Sequence, residues 1–230
     1  MSGSIVSTGM RARVRGLAEP VARGFGRLGL TPNHLTFIGF GIACIAAVAA
    51  AQQAWLAAGL LVLFGGVFDL FDGALARATN RVTKLGAFYD SVFDRWGEGV
   101  VYVGIAWGLA AAGLTDGAVL AAMALASAVM VSYVRAKSEG LGFTSGTGMA
   151  GVGLAPREVR ILILVIGLTM AGAFGVSRIC DSGFGGCVPI WDRRGDGSLS
   201  LGLALALIAI LATITTIQRI LHVRAQAQEG

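Results

Sequence analysis

The stretch AWLAAGLLVLFGGVFDLFDGALAR, residues 54–77, has the composition of a membrane crossing with acid at one end. From Ala54 to Phe68 it carries no charge, and Asp69 and Asp72 then follow within one helical turn. A hydrocarbon core about 30 Å thick takes roughly 20 apolar residues of helix to cross. This segment therefore predicts a transmembrane helix whose last turns need a counter-charge.

Working outward, comparable apolar runs extend from Leu35 to Ala51, Ala54 to Phe71, Phe88 to Ala112, Gly117 to Tyr133, Val159 to Gly175 and Leu199 to Ile217. Of 230 residues, 55% are hydrophobic and 13% charged, and the mean hydropathy of +0.75 lies outside the range of water-soluble domains. The runs are continuous and rich in Ala, Leu, Ile and Gly, whereas a transmembrane barrel would alternate polar and apolar residues in short strands. The expected fold is an all-α integral membrane protein with six transmembrane helices.

Residues 10–30 set Arg among Val, Leu and Phe without the uninterrupted apolar core of a signal peptide. They predict an amphipathic helix lying in the headgroup plane, so residues 1–30 read as an interfacial segment and residues 31–230 as the six-helix membrane domain. Thr31 and Pro32 supply a helix cap and a first-turn proline for the first crossing.

With the N-terminus inside, fifteen of the eighteen Lys and Arg residues fall on the inner side, leaving Arg178, Arg193 and Arg194 outside. By the positive-inside tendency this predicts a multi-pass protein of the cell (inner) membrane, with both termini and the acidic site cytoplasmic. The net charge of +5 then reads as topology and attraction to anionic membrane lipids. Nucleic-acid binding is disfavoured, because the basic residues are scattered over loop ends without an aromatic-studded soluble domain. Cys180 and Cys187 share the external loop, where a disulfide is chemically permitted.

The chemistry is concentrated between Asp69 and Asp94. Asp69 and Asp72 are three residues apart at the end of the second run, and Asp90 and Asp94 four apart at the start of the third. Each pair shares one helical face, and the short connection predicts antiparallel neighbouring helices on which all four carboxylates converge. An intramembrane carboxylate costs roughly 3 kcal/mol even on lenient insertion scales. Two divalent cations would cancel the charge; carboxylate oxygen suits magnesium, calcium or manganese, and a two-metal clamp serves phosphoryl displacement. Gly73 clears space beside the acids, Arg77 offers a forked phosphate donor, and Gly86 permits close helix approach.

The full pattern, DxxDGxxAR, eight residues, then GxxxDxxxD, resembles the signature of the CDP-alcohol phosphotransferase (CDP-alcohol phosphatidyltransferase) family, and every fixed position is present over these 26 residues. The resemblance implies that Asp69, Asp72, Asp90 and Asp94 surround two ions, Mg2+ or Mn2+, and that Asp94 is also the catalytic general base. It places Gly73 and Arg77, with Asp69 and Asp72, against the CDP moiety. The implied reaction transfers a phosphatidyl group from CDP-diacylglycerol to a polar alcohol, releasing CMP in phospholipid biosynthesis; a homodimer is implied as well.

DSVFDR, SYVRAK and the terminal IQR are similar to the phosphatidylinositol-phosphate synthase branch of that family. That similarity implies inositol phosphate as acceptor, its phosphate held by Arg135, Arg160 and Arg219. Glycerol phosphate or another polar alcohol is the alternative acceptor, since LAPREVR departs from the branch pattern. An ion-coupled transporter is the rival class, but it needs an acidic path from both sides, and the acids here cluster at one end. GTGMAG at Gly146–Gly151 imitates a dinucleotide-binding loop without a strand to support it, and the Arg194–Gly195–Asp196 tripeptide and Trp191 predict only turns and an interfacial anchor.

Overall fold

The computed structural model describes residues 24–27, 29–79, 82–143, 152–174, 178–180, 187–189 and 196–229. Among them are six long helices: α1 (Pro32–Ala51), α2 (Trp55–Ala78), α3 (Lys84–Ala111), α4 (Thr115–Gly140), α5 (Arg157–Phe174) and α6 (Asp196–Glu229). Each contains most of one expected apolar run. Between α5 and α6 lies a short antiparallel ribbon, β1 (Arg178–Cys180) with β2 (Cys187–Pro189), which the all-helical expectation omitted. Its register sets Cys180 opposite Cys187. Their side chains, and with them the bridge, lie outside the described residues, as do GTGMAG, Trp191, the Arg194–Gly195–Asp196 side chains and nearly all of the N-terminal segment.

Local chemistry accounts for the helix starts. Thr31 caps α1: its hydroxyl accepts the His34 N–H at 3.4 Å, while its own N–H donates to His34 Nδ1 at 3.4 Å, with Pro32 in the first turn. Thr83 caps α3 by accepting the Gly86 N–H at 3.0 Å. That start puts Asp90 and Asp94 inside the helix rather than at its first residues.

The helices form a closed ring. Around it α1 packs on α2, α2 on α5, α5 on α6, α6 on α4, α4 on α3 and α3 on α1. The two signature helices are therefore not packed neighbours along their lengths, contrary to the expectation from their short connection; α1 stands between them. It fits there because its facing positions are small. Gly104 and Gly108 of α3 lie so close to the Ala47 and Ala50 carbonyls of α1 that a Cβ at either position would collide with them, the close backbone approach that small residues give membrane helices.

Four helices, Pro32–Ala51, Trp55–Ala78, Thr115–Gly140 and the Leu199–Gln228 part of α6, are long and apolar enough to cross a membrane. Large apolar side chains face outward around the ring, among them Ile45, Trp107 and Leu203, with Trp107 70% exposed. An outer surface of this kind belongs in lipid. At about 1.5 Å per residue the 34 residues of α6 exceed the thickness of the hydrocarbon core.

Phe25, at the end of the N-terminal segment, packs on Phe68 and Phe71 of α2, with ring centroids 6.0 and 5.8 Å away. Phe25 thus meets the helix that carries Asp69 and Asp72. The α1–α3 contact gives a direct test: Gly104→Leu should destabilise the detergent-solubilised protein by about 1–3 kcal/mol or more, the usual cost of overpacking. An unchanged melting temperature would contradict the contact.

Candidate active site

The acidic residues meet at one end of the ring, across the gap that α1 leaves between α2 and α3. Arg157, the first residue of α5, joins them: its Nη1 lies 2.7 Å from Asp69 Oδ2 of α2 and 2.7 Å from Asp94 Oδ2 of α3. Carboxylates from two helices that do not pack on each other thus converge on a single cationic nitrogen from a third. Asp72, one turn beyond Asp69, is 6% exposed, and the Thr36 hydroxyl of α1 donates to its Oδ2 at 2.9 Å. Asp90 lies within electrostatic reach of Asp69 and Arg157, and Arg95 Nη1 stands 4.0 Å from Asp94.

Asp69 and Asp94 line one cleft, with Asp72 and Asp90 within electrostatic reach of Asp69, but the acids form no closed coordination sphere: among the described residues no three of them gather tightly enough to hold a metal ion. Asp69 and Asp94 turn to Arg157, and Asp72 turns to Thr36. The donor set nevertheless fits a hard divalent ion. It is all carboxylate oxygen, two of those oxygens already point at one cation, and the acids outnumber the nearby positive groups.

Gly73 and Arg77 occupy the adjoining turn of α2. A Cβ at Gly73 would lie 3.3 Å from Arg77 Nη1, so the missing side chain leaves room for the guanidinium beside this turn. Arg77 itself is exposed. Below the acids, a cleft open to one side runs between α1, α2, α3 and α5. Asp69, Asp94 and Arg157 line its polar end, and Gly39, Gly65 and Gly97 help to line the remainder.

Of the three arginines expected at the acceptor side, Arg219 lies within electrostatic reach of both Arg135 and Arg160. Each already has partners. Arg160, 1% exposed, makes a forked pair with Glu98, Nε to Oε1 at 2.9 Å and Nη2 to Oε2 at 2.8 Å, and Nη1 donates to the Ala155 carbonyl at 3.0 Å. Arg219, 4% exposed, donates from Nε to the Val152 carbonyl at 3.0 Å and from Nη1 to the Val131 carbonyl at 2.7 Å. Arg135 pairs with Glu139 at 2.8 Å.

Two residues of this site escaped the sequence reading. Arg157 was counted only as one of the inner-side basic residues near the acceptor. Glu98 was not singled out, although it continues the series Asp90, Asp94, Glu98 at four-residue intervals and so shares their helix face. That spacing was the available signal.

The CDP-alcohol phosphatidyltransferase family model matches residues 29–210, and the chain belongs to that family. The archaetidylinositol phosphate synthase of Pyrococcus horikoshii is 33% identical over 221 residues, covering 96% of this chain and 98% of its own. The phosphatidylinositol phosphate synthase of Cutibacterium acnes is 33% identical over 212 residues, 90% of this chain and 91% of its own. Among solved structures, the Mycobacterium tuberculosis phosphatidylinositol phosphate synthase with CDP-DAG bound superposes with a TM-score of 0.72 at 28% identity, covering 90% of this chain and 92% of that one. The same enzyme in complex with manganese and citrate gives 0.70 at 27% identity, covering 90% and 88%. With its outward-facing apolar surface, the chain is a multi-pass membrane protein of this family.

The Glu98–Arg160 pair can be tested apart from activity. Glu98→Ala strands a buried guanidinium and should cost about 3–5 kcal/mol of stability in detergent, whereas Glu98→Leu combined with Arg160→Met should recover most of that loss. A double variant as unstable as Glu98→Ala would contradict the pairing.

Proposed function

We propose that this protein transfers a phosphatidyl-type group from a CDP-activated lipid to inositol phosphate, releasing CMP, at the cytoplasmic face of the cell membrane. The observation that carries the reading is the convergence of Asp69 and Asp94 from separate helices on one cation, with Asp72 buried beside them and the family signature running through all three. Relatives named for archaetidylinositol phosphate and for phosphatidylinositol phosphate share the inositol phosphate product headgroup while differing in lipid. Inositol phosphate is therefore the acceptor in this reading, and a CDP-lipid of the kind bound in the mycobacterial structure is the donor.

In this reading Asp69, Asp72, Asp90 and Asp94 hold two divalent cations, Mg2+ or Mn2+, consistent with the manganese complex of the mycobacterial enzyme. When bound, such ions neutralise the carboxylates and stabilise negative charge on phosphate oxygens. Asp94, as general base, removes the proton from the acceptor hydroxyl. The freed oxygen attacks the lipid-linked phosphorus, a new P–O bond forms, and the bond to CMP breaks with its electron pair leaving on CMP. Arg77, beside the gap at Gly73, meets the donor phosphates, and Arg135, Arg160 and Arg219 meet the acceptor phosphate. Arg160 then acts from within its pair with Glu98, and Arg219 from its carbonyl contacts.

All six long helices cross the membrane in this proposal, α3 and α5 being shielded at their charged ends by the acid–arginine contacts. Residues 1–30 lie along the cytoplasmic surface, both termini face the cytoplasm, and two copies form a homodimer. The test is an acceptor screen that follows CMP release by purified protein given CDP-diacylglycerol. Inositol phosphate with Mg2+ or Mn2+ should support release and a chelator should abolish it; preference for glycerol phosphate or serine would overturn the acceptor, and metal-independent release the mechanism.

A further inference from the structure

Both arginines of α5 are delivered by the short segment 152–156, and one hydroxyl of α6 holds two consecutive amides of that segment. Thr215, fully buried, accepts two consecutive backbone N–H groups at its Oγ1, from Leu154 at 3.0 Å and from Ala155 at 2.9 Å. The same oxygen donates its own proton to the Leu211 carbonyl at 2.8 Å, so all its hydrogen-bonding capacity is engaged. One turn along, Arg219 takes the Val152 carbonyl. On the other side Arg160 returns to the Ala155 carbonyl while gripping Glu98.

Gly153 lies at the point of closest approach. Its φ of +120° suits glycine, and a Cβ there would collide with Thr215 Cγ2. The segment and the threonine are thus fitted to each other by shape as well as by hydrogen bonds. Arg157 and Arg160 follow within five residues of Ala155, so any shift of the segment moves both guanidinium groups relative to Asp69, Asp94 and Glu98.

We infer that Thr215 is a positioning residue for the acceptor side of the site, setting the height at which segment 152–156 presents Arg157 and Arg160. The inference rests on the proposed role of Arg160 and Arg219 toward the acceptor phosphate. Thr215→Val keeps the side-chain shape but leaves the Leu154 and Ala155 N–H groups without their acceptor. It should raise KM for the acceptor about ten- to a hundredfold, as two lost hydrogen bonds of ordinary strength imply, and raise KM for the CDP-lipid by a clearly smaller factor. Thr215→Ser, which keeps the oxygen, should restore the acceptor KM.

The assay uses the acceptor that the wild-type protein turns over fastest, so the choice of acceptor does not enter the result. A wild type silent with every acceptor would sink the functional reading and this inference together. An active wild type would sink the inference alone if acceptor KM were indifferent to Thr215→Val, if both KM values rose in proportion, or if Thr215→Ser were as impaired as Thr215→Val. Should Thr215→Val fail to fold, hydrogen exchange on the wild type decides. The Leu154 and Ala155 amides should exchange as slowly as the core amides of α6, and exchange at the rate of an open loop would overturn the clasp.

Discussion

An ionised side chain drawn into a low-dielectric bundle must find its counter-charge there, and in this protein the counter-charge comes from a different helix. Asp69 of α2 and Asp94 of α3 meet Arg157 of α5. Glu98 of α3 meets Arg160 of α5. Arg219 of α6 reaches past its own helix to carbonyls of α4 and of the segment before α5. Each contact ties two elements at the same end of the ring, so these charged groups also fix the relative heights of the helices. The opposite arrangement holds deeper in the bundle, where Gly104 and Gly108 let backbones touch without any charge.

Much of the fold was legible. Six apolar runs became six helices, and Thr31 with Pro32 formed the cap and first turn that residue chemistry predicts. The ring order was not legible, because run length says nothing of which faces meet. The small residues Ala47, Ala50, Gly104 and Gly108 were present to be read, but their consequence, that α1 separates the two signature helices, depends on three-dimensional packing that a short loop does not dictate. The ribbon was missed because three-residue strands in a polar loop leave no hydrophobic period.

The site divides in the same way. The four aspartates stood out because their spacing puts each pair on one helix face in an apolar setting where isolated charge is costly. Arg157 was visible only as part of a general excess of inner-side basic residues, since the positive-inside tendency explains any single Arg equally well, and Arg160 was marked only through the family resemblance. What separates them from anchors is a carboxylate partner from another helix, joined for Arg160 by burial, and neither is a local property of sequence. Thr215 was invisible for a related reason: a threonine inside an apolar helix usually bonds back to its own preceding turn, and this one does so while also accepting two amides from 60 and 61 residues away.

The proposed function requires that carboxylates from α2 and α3 form one cation-binding centre. Anomalous diffraction from crystals grown with manganese tests it most directly. Two manganese peaks enclosed by Asp69, Asp72, Asp90 and Asp94, with Arg157 drawn away from the Asp69 and Asp94 oxygens, are the predicted result. An anomalous map without density among those four side chains, at a manganese concentration that supports CMP release, would contradict it.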